Sequence, residues 1–196
     1  MFEDMTFRIL IVALMGINFA ISGHYRSKAD KEGGQLDPKG NRVLLFLRLA
    51  TLLVLIPFFT YMIYPKWASW ARFDAPEAVR WFGAGLTLCM SPMIYWLFST
   101  IGNNISPSHT TRESHQLITT GPYRFIRHPL YTFGMLAWMG VGLMALMWWI
   151  FAALFIMCTI LAWRTRKEEQ QLIDQFGQAY RDYMARTGRY FPKVSA

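Results

Sequence analysis

The sequence predicts an all-α integral membrane protein with five transmembrane helices, two of them forming a tight hairpin in the C-terminal half, followed by a cytoplasmic amphipathic helix. Three observations lead there. Hydrophobic residues make up 54% of the 196-residue chain and charged ones 16%, a more apolar balance than soluble domains carry. The apolar residues gather into runs long enough to cross a hydrocarbon core, which takes about 20 residues of helix. Tryptophans stand near the ends of those runs (Trp67, Trp70, Trp81, Trp148, Trp149, Trp163), where interfacial anchoring puts them.

The first run, 6–22, follows Glu3 and Asp4 rather than a basic segment, and no small-residue cleavage pattern comes after it, so it reads as a permanent membrane segment. The second, 43–64, contains Pro57 and Arg48. Arg48 reads as a side chain snorkelling to the basic loop before it, with a role at a substrate head group as the alternative. The third, 77–100, is announced by Asp74-Ala-Pro-Glu77, where an acidic N-cap, an early proline and a glutamate three residues on mark a helix start. Pro57 and Pro92 should kink their helices, tolerated where neighbours satisfy the freed backbone groups. The stretch 130–163 holds 34 residues without a charge, a little short for two full crossings, and reads as a hairpin turning near Met147–Trp149. Gly134, Gly140 and Gly142 would let its first helix approach a neighbour closely, and packing also explains Gly83 and Gly85 in the third helix.

Beyond 163, Leu172, Phe176, Ala179, Tyr180 and Tyr183 recur on one face while Gln171, Asp174, Gln175, Arg181 and Asp182 take the others, the pattern of an amphipathic helix. Five Lys and Arg lie in loop 24–42, three in 101–129 and seven from Arg164 onward, against Arg8, Lys66, Arg72 and Arg80 on the other side. The positive-inside rule then puts the N-terminus outside and the C-terminus in the cytoplasm, of the cell membrane in a prokaryote or of the endoplasmic reticulum in a eukaryote. The net charge of +8 sits between apolar runs and in the tail, which favours membrane lipids over nucleic acid as the partner. Cys89 and Cys158 fall inside apolar runs and read as small core residues. His109, His115 and His128 are too irregularly spaced for a metal site, and no glycine-rich strand-to-helix turn supports a Rossmann fold.

The polar residues of the second half concentrate in two places, the loop His115–Tyr131 and the patch Arg164-Thr-Arg-Lys-Glu-Glu169. The hairpin leaves the membrane and returns between them, so its ends, Tyr131 and Arg164, should meet. Gly121-Pro122 and His128-Pro129 bend the loop. Arg124, Arg127 and His128 add donors, and Tyr123 and Tyr131 add aromatic faces. On these residues alone, an ordinary basic surface loop and a simple i,i+4 pair between Arg164 and Glu168 account for them equally well.

Together, however, Gly121-x-Tyr123…Arg127-His-Pro-x-Tyr131, a hydrophobic hairpin, Arg164-Thr-x-x-Glu168-Glu169 and Phe176-Gly177-x-x-Tyr180-x-x-Tyr183 resemble the isoprenylcysteine carboxyl methyltransferase family, in a compact prokaryotic form, over roughly residues 109–192. At 196 residues there is room for a single membrane-embedded domain, 1–196, with three N-terminal helices in 1–100 and, as the resemblance implies, a catalytic half in 101–196. The resemblance also implies an S-adenosylmethionine site at His115, Gln116, Leu117, Ile118, Tyr123, His128, Pro129, Leu130, Tyr131 and Glu168, with S-adenosylhomocysteine as product. Arg127 and Glu169 stand as additional candidates. Arg164 matches the position that holds the carboxylate of a lipophilic, prenylcysteine-like substrate, and no metal is implied. A carboxylate is already ionised at neutral pH and needs no general base, so alignment and exclusion of water are the work left to the protein. A phospholipid head-group N-methyltransferase, a nicotinamide-dependent membrane reductase and a non-catalytic lipid-binding protein remain as alternatives.

Overall fold

The computed structural model describes residues 2–32, 42–102 and 117–193. Its elements are α1 (Phe2–Glu32), α2 (Arg42–Ile63), a 3-10 turn (Ser69–Ala71), α3 (Glu77–Ile101), a second 3-10 turn (Gly121–Arg124), α4 (Pro129–Ala145), α5 (Trp148–Phe176) and α6 (Gln178–Arg186). Among the described residues there is no strand, only isolated bridges of Arg72 with Met147 and of Ile126 with Gly188. By length and composition, three helical stretches are fit to cross a membrane: Asp4–Ala29, Glu77–Ile101 and Trp148–Phe176. The apolar stretches Thr51–Ile63 of α2 and Pro129–Ala145 of α4 are shorter. The outer surface of the bundle is apolar, with Ile9, Ile56, Phe82 and Phe155 turned outward, a surface that suits lipid rather than water.

The packing follows from small residues and from partners for freed backbone groups. Phe7 meets Trp81 with ring centroids 5.1 Å apart, and Tyr25 stacks on Phe98 at 6.1 Å, so α1 runs alongside α3 in the same direction. α3 and α4 approach most closely at Gly83 and Gly140, where Thr87 Oγ1 reaches across to the Ala137 carbonyl at 3.2 Å. Pro57 has no N–H for the Leu53 carbonyl four residues back, and Trp149 Nε1 of α5 donates to that oxygen instead at 2.9 Å. The hairpin turns at Leu146, in the left-handed region at φ 53°, and Met147, beside the expected position. Trp70, Trp148 and Trp149 cluster at that end, with centroids about 5.5 Å apart.

Four expectations change. α3 begins at Glu77 with Pro76 in the cap position and no side-chain cap, so Asp74 does not cap it; Glu77 instead accepts from Trp81 Nε1 at 2.9 Å. Of the glycines in α3 and α4, Gly134 and Gly85 face open space, leaving Gly140, Gly142 and Gly83 in close contact. Cys89 and Cys158 are exposed on the outside of the bundle rather than buried in its core. The apolar face expected to continue from Leu172 to Tyr183 is split, because α5 runs on to Phe176 and Gly177, at φ 56°, breaks it from α6. The Arg48 side chain lies outside the described residues.

A Cβ at Gly83 would lie 2.6 Å from the Gly140 carbonyl oxygen and 2.9 Å from the Met144 nitrogen, both backbone atoms that cannot step aside. Gly83→Ala is therefore expected to destabilise the bundle by about 1–3 kcal/mol, the range for overpacking. Thermal denaturation in detergent measures it, with Gly85→Ala, which meets nothing within 4 Å, as the unchanged control.

Candidate active site

The site forms where α4 starts and α5 ends its apolar run. Gly121 opens the bend in the left-handed region, φ 58°, and packs against the end of α3, where a Cβ would meet Thr100 Oγ1 at 2.4 Å. Pro122 is buried in the 3-10 turn that follows. His128 stands at the N-cap of α4 with Pro129 at the first helical position, a proline's favoured place. Tyr183 of α6 donates to the Tyr123 carbonyl at 2.6 Å and so fixes the turn from above. Burial pushes the Tyr183 phenol up to about 12, which keeps it a neutral donor.

As the hairpin argument requires, Tyr131 and Arg164 converge, and they do so on Glu168. Tyr131 OH donates to its two oxygens at 2.9 and 3.1 Å, and Arg164 Nε donates to Oε1 at 2.6 Å. The next residue has different company. Glu169 is 3% exposed, takes Arg127 Nε at 2.8 Å on one side and is spanned by Arg189 on the other, Nε at 3.2 Å and Nη2 at 2.5 Å. Arg127 also donates to the Thr187 and Met184 carbonyls. One carboxylate of the pair is thus committed to a clasp, while the other is shared between a phenol and a guanidinium.

His128 lies between the two glutamates. Its Nδ1 is 3.8 Å from Glu168 Oε2 and its Nε2 3.4 Å from Glu169 Oε1, and the ring lies parallel to Tyr131, with centroids 5.6 Å apart. Nε2 is buried yet makes no well-aligned hydrogen bond with any described residue, which leaves a donor or acceptor for a ligand.

Tyr123, His128, Pro129, Tyr131, Arg164 and Glu168, with Arg127 and Glu169, are therefore brought into one region. Leu130 is exposed beside them, Leu117 and Ile118 are half-buried on the chain entering the turn, and His115 and Gln116 lie outside the described residues. The sequence reading missed the segment after α6. There Gly188 and Arg189 carbonyls accept the N–H groups of Arg127 at 2.8 Å and His128 at 3.1 Å. Thr132 Oγ1 donates to the Tyr190 carbonyl at 2.9 Å, and Tyr190 OH donates to Thr165 Oγ1 at 2.8 Å. Thr187-Gly188, a turn signal just past a helix end, was the only mark the sequence offered.

Among the described residues, no group of three or more His, Cys, Asp or Glu is placed to hold a metal ion. Residues 78–179, just over half of the chain, match the family model of the phospholipid methyltransferases, which takes in the isoprenylcysteine carboxyl methyltransferase-like proteins. The chain is similar to a nickel-cobalt-cadmium resistance protein of Alcaligenes xylosoxydans xylosoxydans, 32% identical over 84 residues, 43% of this chain and 39% of that protein. It is also similar to a cobalt-zinc-cadmium resistance protein of Cupriavidus metallidurans, 29% identical with the same coverage of each chain. The match thus spans 39% of the length of either relative.

Proposed function

The chain belongs to the phospholipid methyltransferase family, and from that premise we propose that it transfers a methyl group from S-adenosylmethionine to the carboxylate of a lipophilic acceptor of the prenylcysteine type, giving a methyl ester. The observation that carries this reading is the state of Arg164. Its Nε is held by Glu168 at 2.6 Å, which fixes the guanidinium plane, while its Nη groups bond to no described residue. The neighbourhood holds three guanidiniums, Arg127, Arg164 and Arg189, against Glu168 and Glu169, so an anionic group is what its charge accommodates. An ammonium acceptor would face Arg164 and would need a base, yet each glutamate is already engaged by an arginine.

S-adenosylmethionine, when bound, supplies an electrophilic methyl on a sulfonium. The chain supplies matching groups: His128, whose Nε2 has no well-aligned hydrogen bond to a described residue, the Glu168 carboxylate for ammonium or ribose hydroxyls, and the faces of Tyr123 and Tyr131 for positive charge. His115, Gln116, Leu117, Ile118, Pro129 and Leu130 complete the proposed contacts from the chain on either side of the turn. In the same reading α2 and α4 lie in the membrane beside the three longer helices, the N-terminus is outside, and the site faces the cytoplasm, as the basic loop and tail favour.

Purified protein, labelled cofactor and separate prenylcysteine and phosphatidylethanolamine acceptors test it. The expected product carries methyl that alkali releases, as an ester does. Base-stable methyl on the phospholipid amine, or no transfer to any carboxylate, overturns the proposal.

A further inference from the structure

Glu169 is buried and its charge must be balanced from close by. Arg127 reaches it from the loop and Arg189 from the segment after α6, each within hydrogen-bond distance, and His128 Nε2 stands next at 3.4 Å. With Arg189 present, the carboxylate is satisfied on both oxygens and the imidazole is left parallel to Tyr131. Without it, Oε2 loses its donor, Arg127 alone still bonds the carboxylate, and the next group able to turn toward it is the His128 ring. Tyr190 holds the same segment down from the other end, through Thr165 on α5 and through its carbonyl to Thr132 on α4. Its ring also lies 6.0 Å from that of His128. The Arg189 side chain is 37% exposed, so replacing it removes a charge without opening a core cavity.

We propose that Arg189 and Tyr190 are positioning residues: the segment that carries them satisfies Glu169 and braces His128, so that the imidazole stays available to the cofactor. The proposal rests on the reading of this site as a methyl-donor site. It assigns the two adjacent glutamates different work, Glu168 toward the ligand and Glu169 toward the protein.

The test compares Arg189→Met, Arg189→Lys and Tyr190→Phe with Glu168→Gln in the full-length protein, by calorimetry with S-adenosylhomocysteine, by kinetics and by thermal denaturation. Arg189→Met is expected to weaken S-adenosylhomocysteine binding and raise the cofactor KM by about tenfold, with kcat within about twofold and the melting temperature little changed. Arg189→Lys restores affinity to within about threefold, and Tyr190→Phe falls between the wild type and Arg189→Met. If Arg189→Met binds like the wild type while Glu168→Gln does not, the segment has no positioning role. A loss that follows the melting temperature and that lysine does not restore shows a purely structural part, and also overturns it. Wild-type affinity in Glu168→Gln marks failure of the methyl-donor reading itself, and the inference falls with it.

Discussion

Glu168→Gln is expected to weaken S-adenosylhomocysteine binding by roughly a hundredfold, about 2–3 kcal/mol, and to lower turnover with it. The substitution keeps the volume and one acceptor oxygen but removes the charge. Tyr131 OH and Arg164 Nε, which already share Oε1 at 2.9 and 2.6 Å, would then meet a neutral oxygen and lose the charge assistance of their hydrogen bonds. Half-buried Arg164 is left with its charge uncompensated, and the carboxylate proposed to meet the cofactor is gone. Arg164→Ala should separate the two roles, sparing S-adenosylhomocysteine affinity while reducing kcat for a carboxylate acceptor. Should Glu168→Gln bind S-adenosylhomocysteine within twofold of the wild type, the cofactor lies elsewhere, and unchanged affinity in His128→Ala would agree.

The parts of this arrangement that were legible in the sequence are those set by local pattern. The absence of charge over 130–163 marks the hairpin, and the hairpin brings Tyr131 to Arg164. The helix start at Glu77 was legible from its proline, while its cap was not, because proline at the cap position displaces the acidic residue that a capping pattern would use. The amphipathic face beyond 163 was read as continuous because periodicity does not register a single glycine; Gly177 turns the chain and aims Tyr180 and Tyr183 back toward the loop. The sequence sets Glu168 four residues from Arg164 but carries no mark of what Glu169 meets. What tells them apart is Arg189, twenty residues on, brought back by a turn whose contacts are mostly backbone. Arg80 shows the same limit: counted as a loop charge, it is buried in the first turn of α3.

Arg80→Met is expected to be among the most damaging substitutions outside the site, at about 3–5 kcal/mol, the cost of breaking a buried ion pair from one side. Arg80 is 6% exposed and joins four elements at once. Its Nη2 pairs with Asp4 Oδ1 of α1 at 3.0 Å, and the same oxygen takes Arg72 at 3.2 Å and Tyr61 OH of α2 at 2.9 Å. Its Nε donates at 2.7 Å to the Met144 carbonyl, one of the orphan acceptors at the end of α4, where a cation also suits the helix dipole. Its guanidinium lies 4.0 Å from the centre of the Phe7 ring. Methionine can refill the space against Phe7 but leaves the Asp4 carboxylate short of its more buried cation and the Met144 oxygen without a donor. Adding Asp4→Asn to Arg80→Met removes the unbalanced charge, so the double variant should be less destabilised than the sum of the singles, a coupling that thermal or denaturant unfolding reads directly. The cluster closes the end of α4 opposite His128, about 25 Å away at 1.5 Å per residue, so S-adenosylhomocysteine affinity should hold in every variant that stays folded. Loss of that affinity in a folded Arg80→Met protein would instead make the far end of the bundle part of the site.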